Sequence, residues 1–81
     1  MSSDDPEWML PMDRRILELM ERSKTVRPSG LWLTPKTIAV NLDATGDYCN
    51  RRLREMEGHG YVDNSDGYYR ITNKGSEFIR R

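Results

Sequence analysis

The chain has 81 residues, of which 36% are hydrophobic and 32% are charged, and its 13 basic and 13 acidic side chains cancel to a net charge of zero. This length fits one small domain with a modest core. The neutral balance argues against a protein that binds nucleic acids indiscriminately, although it allows a local basic patch. Acidic residues are in excess from residue 1 to 50, and basic residues are slightly in excess from 51 to 81.

The single cysteine, Cys49, excludes an intrachain disulfide, and no group of Cys and His residues has metal-ligand spacing. No apolar run reaches the roughly 18 residues that a membrane span needs. The acidic segment 1–7 is unlike the basic start of a secretory signal, and it is expected to be a mobile tail before a domain over residues 8–81. The sequence therefore predicts a cytoplasmic protein that holds no metal and no cofactor.

The first predicted helix runs from Pro11 to about Ser23. Proline suits a first helical position, and apolar residues recur every three or four positions along this segment. Turn-forming residues then lead to a short apolar run, Leu31 to Leu33, which predicts one edge strand.

Two further helices are predicted close together, each after a threonine that can cap free backbone amides. Thr34 precedes a helix of about two turns that ends near Asp43, and Thr45 begins a helix over residues 45–57. In the longer helix the apolar residues recur at spacings of four and three and predict an inward face: Cys49, Leu53 and Met56. The brief turn between the two helices predicts a helix-turn-helix.

A hairpin and a last helix complete the pattern. Tyr61 and Val62 begin one strand, Asp63 to Gly67 have the chemistry of a turn, and Tyr68 to Ile71 form the return strand. Thr72 then caps the last helix. Together with the earlier edge strand, this order predicts an α+β winged helix-turn-helix with a small three-stranded antiparallel sheet.

The polar face of the helix at residues 45–57 suits the edges of DNA bases. At about 100° per residue, this face carries Tyr48 and Arg51, and Asn50 lies on its flank. An arginine can donate two parallel hydrogen bonds to guanine, and an asparagine can pair with adenine. A tyrosine can reach a phosphate or a thymine methyl. The helix is therefore predicted to read base pairs in the major groove.

Other residues of this half are predicted to contact the phosphate backbone. Thr45 and the amide of Gly46 lie at a helix start, where a phosphate is stabilised. Arg52 and Arg54 either contact phosphates or pair with nearby glutamates. The wing at residues 61–71 adds three candidates beside the helix: Ser65, Tyr68 and Arg70.

A family resemblance is carried by two runs, CNRRLREMEGHGYV and YYRITNKGSEF. They resemble winged helix-turn-helix repressors of the MarR-like kind and, among these, the archaeal phage phi-H repressor-like group. The resemblance covers the chain from Trp8 to Ile79. It includes the Thr-x-x-Gly that follows the wing, at Thr72 and Gly75.

The resemblance implies that Asn50 and Arg51 contact bases or phosphates and that the wing lies along the flanking backbone. The residues and the resemblance together predict a transcriptional repressor that binds a palindromic operator in double-stranded DNA as a homodimer. MarR-type repressors dimerise through extra terminal helices and sense small molecules between them, whereas this chain ends just after its fourth helix, so no ligand-sensing role is expected. Apolar residues near the two ends are the candidate dimer contacts: Trp8, Met9, Leu10, Phe78 and Ile79.

Two other interpretations stay open, and a third is not expected. A winged helix that docks a protein partner would use the same fold without DNA, and the zero net charge favours it. The charged helix face could also be a solvated surface with an ion pair between Arg51 and Glu55. An enzyme is not expected, because His59 lies between two glycines and Cys49 lies on the apolar helix face.

Overall fold

A computed structural model describes residues 5–81, so only the last three residues of the predicted tail over residues 1–7 fall within the described part. Within residues 5–81, four helices and two strands follow in the predicted α+β order. They are α1 (Pro11–Arg22), α2 (Pro35–Leu42), α3 (Gly46–Gly58), β1 (Val62–Ser65), β2 (Tyr68–Ile71) and α4 (Asn73–Arg80), with one 3-10 turn (Ser23–Thr25) after α1.

Three helices begin with the same threonine cap. The side-chain oxygen of each cap accepts a hydrogen bond from the backbone N–H three residues later, which satisfies one of the free amides of the first turn. The pairs are Thr34 with Thr37 at 3.1 Å, Thr45 with Tyr48 at 3.2 Å, and Thr72 with Gly75 at 3.1 Å. The three predicted capping residues are therefore confirmed.

The sheet has two strands rather than the predicted three. The run Leu31 to Leu33 contributes a single bridge, in which Leu33 and Tyr69 exchange backbone hydrogen bonds of 2.8 and 2.7 Å. Thr34 already caps α2, so the chain leaves the sheet after one paired residue. The predicted strand count is wrong for that reason.

The hairpin turn is shorter than predicted. β1 continues through Ser65, and only Asp66 and Gly67 connect the strands. Their φ angles are +56° and +87°, which is the type I′ geometry that the Asp-Gly pair favours. The amide of Gly67 donates to the side-chain oxygen of Asn64 at 3.1 Å, which closes the tip.

The core lies where α1, α2 and α3 meet the hairpin and α4. Its buried hydrophobic residues are Ile16, Leu17, Met20, Ile38, Ala39, Leu42, Cys49, Leu53, Met56, Tyr61, Val62, Tyr69, Ile71 and Phe78. All four helices and both strands contribute to this list, so one core holds the helix-turn-helix and the wing in a fixed relationship.

α4 approaches the base of the hairpin at Gly75. A Cβ atom at this position would collide with the carbonyl oxygen of Tyr61 and would lie 2.9 Å from Cγ1 of Ile71. The Thr-x-x-Gly motif therefore combines a helix cap at Thr72 with the one residue small enough for this contact.

Candidate nucleic-acid interface

A short turn sets α3 against α2. Asp43 adopts a left-handed conformation with φ +56°, which an aspartate tolerates better than most residues. The chain then reaches the Thr45 cap within two residues. A Cβ built on Gly46 would lie 3.9 Å from the Cα of Lys36, so the starts of α2 and α3 lie side by side.

α3 turns an apolar face to the core and an arginine-bearing face to solvent. Cys49, Leu53 and Met56 are completely buried, as predicted, whereas Arg51 and Arg54 are exposed. Neither arginine takes part in any ion pair among residues 5–81. Both guanidinium groups are therefore open to an external partner.

The ion pair between Arg51 and Glu55 that the sequence left open is not formed. The Glu55 carboxylate instead lies 3.2 Å from Nε2 of His59, and the guanidinium carbon of Arg51 lies 5.9 Å from the centre of the Tyr48 ring. The other predicted contacts at the start of α3 are exposed or half-buried: Thr45, Gly46, Tyr48 and Asn50. The start of α3 and its Thr45 cap thus present these residues together with Arg51.

Arg52 is turned inward. Its Nε and Nη2 donate to the two carboxylate oxygens of Asp13 at 2.7 and 2.6 Å, and Nη2 also donates to the Trp8 carbonyl at 3.2 Å. The completely buried Asp13 side chain accepts a further bond from the Leu10 amide at 3.0 Å. The hydrogen bonds to Asp13 hold the pKa of the Arg52 guanidinium above its ordinary value. Arg52 is therefore paired with Asp13 and not with either neighbouring glutamate, Glu55 or Glu57.

The wing presents a polar outer face. The register places Asp63 opposite Arg70 and Ser65 opposite Tyr68, so these four side chains share one side of the hairpin. Ser65 and Tyr68, next to the tip, are exposed. Arg70, further from the tip, is half-buried, and its guanidinium carbon lies 4.4 Å from the centre of the Trp32 ring. The tip is thus open, while Arg70 packs against the segment before α2.

The apolar residues near the chain ends pack on their own domain. Four of the five candidate dimer residues belong to the core or contact it: Trp8, Met9, Phe78 and Ile79. Trp8 stacks on His59 with ring centroids 4.0 Å apart and meets Tyr61 edge-on at 5.5 Å. The fifth candidate, Leu10, is 40% exposed. A homodimer stays a prediction.

Two residues of this region are not predicted from the sequence. In the sequence, Asp13 is only an acidic residue in a first helical turn. No local signal connects it with Arg52, 39 positions later. Lys36 is exposed in the first turn of α2, beside the start of α3, and takes part in no ion pair among residues 5–81. Its place directly after the Thr-Pro helix start is the signal that could have found it.

The one cysteine of the chain lies in the apolar face of α3 and is completely buried. Burial raises the pKa of the Cys49 thiol, which keeps it in the protonated and weakly nucleophilic form. In the described part of the chain, no group of three or more His, Cys, Asp and Glu residues is arranged to hold a metal ion. No helix within residues 5–81 has the length and apolar character to cross a membrane.

Comparison with known proteins decides the family. A family model described as winged helix-turn-helix phage repressor matches residues 4–81. The chain belongs to this family. Its structure is also similar to the crystal structure of a MarR family protein of Mycobacterium tuberculosis, with a TM-score of 0.75 and 19% sequence identity over 90% of this chain and 50% of that one.

The MarR family match shows a shared fold, and this phage repressor domain spans about half the length of the Mycobacterium tuberculosis chain. No curated protein matches the sequence. The winged-helix repressor family inferred from the two sequence runs is confirmed, and its archaeal subgroup stays a prediction.

Proposed function

We propose that this winged-helix domain is a transcriptional regulator that binds double-stranded DNA sequence-specifically and acts as a repressor. α3 enters the major groove, and the wing at residues 61–71 lies along the flanking backbone. Membership of a phage repressor family and the two exposed arginines of α3, which form no ion pair within residues 5–81, support this proposal.

The observation that carries the proposal is the exposed start of α3. Arg51 offers a planar fork of donors that matches the two acceptors of guanine, and Asn50 stands one position before it. Thr45 and Gly46 form a helix start whose amides stabilise a phosphate, and Lys36 adds a positive charge beside them. Base contacts and backbone contacts therefore lie within one surface.

The wing contributes contacts to the backbone beside the groove. Ser65 and Tyr68 are exposed next to the tip and can donate hydroxyl hydrogen bonds to phosphates. Asp66 at the tip carries a negative charge, which opposes deep insertion between the strands. The wing is therefore proposed to lie along the backbone rather than inside the minor groove.

We also propose that two copies bind a palindromic operator, in the cytoplasm where such DNA is found. The longest dimension of the domain is 31 Å, close to the roughly 34–36 Å that separate two half-sites on one face of DNA. Two copies can therefore occupy successive major grooves side by side. Leu10 is the candidate dimer residue that intrachain packing leaves 40% exposed.

Selection of DNA from a random pool tests the proposal. We expect one enriched palindromic sequence, and an affinity that falls linearly with salt on a log–log plot because phosphate contacts release counterions. A variant with Arg51→Ala and Arg54→Ala is the control and should lose the enrichment. Absence of DNA binding by the wild-type chain at low salt would contradict the proposal.

A protein-docking winged helix is the second candidate. The zero net charge and three exposed aspartates on α3 and the wing favour it: Asp47, Asp63 and Asp66. Carboxylates repel phosphates but can pair with basic side chains of a partner protein. A titration with DNA at low salt separates the two candidates, since only the DNA-binding function predicts a measurable affinity for DNA that falls with added salt.

A further inference from the structure

One buried ion pair connects α3 to α1. Of the four ion pairs that Arg and Lys side chains form within residues 5–81, only that of Asp13 and Arg52 has a completely buried carboxylate, and the carboxylates of the other three are 20–28% exposed. Its two parallel hydrogen bonds measure 2.7 and 2.6 Å. The pair joins residues 39 positions apart, so it fixes one helix against the other.

Such a pair is a poor source of stability. Removing two charges from water costs about as much as their attraction returns, and apolar replacements of similar volume are often neutral or stabilising. The pair instead imposes a fixed relative orientation on the two side chains, because a guanidinium group binds a carboxylate through two hydrogen bonds in one plane. The apolar contacts of Cys49, Leu53 and Met56 hold α3 against the core without that directional requirement.

The neighbouring position on α3 is the proposed reader of bases. Arg51 and Arg52 are about 100° apart around the helix axis, so holding Arg52 on Asp13 fixes the direction in which Arg51 points. The side-chain surface of a helix lies roughly 5–6 Å from its axis, so a rotation of about 10° displaces it by about 1 Å. That displacement is enough to break hydrogen bonds whose lengths span roughly 2.7–3.2 Å.

We propose that Asp13 and Arg52 are positioning residues that set the rotation of α3 about its own axis and so determine which base pairs Arg51 and Asn50 can read. This proposal rests on the DNA-binding function proposed above. Neither member of the pair touches DNA. The bond from Arg52 to the Trp8 carbonyl extends the same constraint to the segment before α1.

A neutral double variant, Asp13→Asn with Arg52→Met, tests the proposal. The asparagine keeps an acceptor for the Leu10 amide, and the methionine replaces much of the arginine side-chain volume. The measurements are thermal unfolding and the ratio of affinities for the selected operator and a scrambled duplex. We expect cooperative unfolding and a ratio that falls about tenfold or more. Affinity for the scrambled duplex and its salt slope should not change, because no phosphate contact is removed.

Arg80→Met is the matched control, because it removes an arginine whose ion pair, at 3.7 Å, is with Glu21 of α1 and whose hydrogen bond goes to the Ser76 carbonyl of α4. Its affinity ratio should equal that of the wild type. Arg52→Lys keeps the charge but loses the planar guanidinium group, so it should also lower the affinity ratio. If the double variant fails to fold, this single variant tests the positioning role.

The outcomes separate this inference from the proposed function. A wild-type chain that binds no DNA, or that binds all duplexes alike, contradicts the proposed function. A wild type that discriminates, together with a folded double variant or Arg52→Lys variant that discriminates equally well, overturns the positioning role alone. If neither variant folds, the pair is required for folding and the positioning role is also overturned.

Discussion

The indole ring of Trp8 lies flat on the imidazole ring of His59, with centroids 4.0 Å apart and an angle of 2° between the planes. The same indole meets the Tyr61 ring edge-on at 5.5 Å. The backbone carbonyl of Trp8 accepts a hydrogen bond from Arg52. The segment before α1 is therefore bound to the end of α3 and to the start of the wing, at the junction of the two elements proposed to meet DNA.

Trp8→Ala should lower the free energy of unfolding by about 1–3 kcal/mol, because a half-buried aromatic ring loses its packing and stacking partners. Trp8→Phe retains a ring and should lose less than half as much. Urea denaturation of the two variants and the wild type measures this difference. An alanine variant as stable as the wild type would show that the stack contributes nothing to folding.

Arg51→Ala should weaken binding to the selected operator by about 1–3 kcal/mol and relax discrimination at one base pair. Arg70→Ala should weaken binding to all sequences alike and lower the salt slope by about one, as the loss of a phosphate contact does. Gel-shift titrations at several salt concentrations distinguish these patterns. If Arg51→Ala leaves operator binding unchanged, α3 is not the element that reads the sequence.

Two glycines in helices should respond oppositely to alanine. Gly75→Ala should destabilise the domain by about 1–3 kcal/mol, because the new methyl group collides with the Tyr61 carbonyl. Gly58→Ala should be neutral or stabilise by up to about 1 kcal/mol, since beyond the adjoining residues and helix backbone no atom lies within 4 Å of its added Cβ, and alanine favours the helix. Thermal unfolding of both variants tests these two predictions, and equal melting temperatures of the two variants would contradict them.

Cys49 should be protected from alkylation in the folded chain. Its pKa is raised by burial, so the folded state keeps the proton that the unfolded thiol releases at roughly pH 8.5. The protonated Cys49 thiol therefore contributes fully to the free energy of unfolding below that pH. This contribution is lost as the pH rises through the folded-state pKa. Iodoacetamide labelling should be slow in buffer and fast in urea, and Cys49→Ala should remove this part of the alkaline destabilisation. Rapid labelling of the native chain would contradict the buried placement.

The order of helices and the arginine-bearing face of α3 could be predicted because their signals are local. The three threonine caps act on amides three residues away, and the buried positions of α3 follow the helical period. The predicted hairpin tip is too long, because Asp63, Asn64 and Ser65 are residue types that favour turns. Cross-strand pairing with β2 extends the strand through all three, so tertiary context outweighs their local preference.

The contacts between distant segments could not be predicted in the same way. An aspartate in a first helical turn has an ordinary local role, and many arginines follow it in the chain. Only the packing of α1 against α3 selects Arg52 as its partner and leaves Arg51 outside. The distinction between these two adjacent arginines therefore comes from the fold and not from either residue type.

β1 and β2 pair residue for residue, and only Asp66 and Gly67 close the ladder. Because alternate side chains of a strand point to opposite faces, one added residue pair would move the tip outward by about 3.3 Å and reverse the face of its side chains. Two added pairs would restore the original faces at a length greater by about 7 Å. A homologue that keeps the chemistry of the tip can therefore lengthen its wing only in steps of about 7 Å, so wing lengths in this architecture should be discrete rather than continuous.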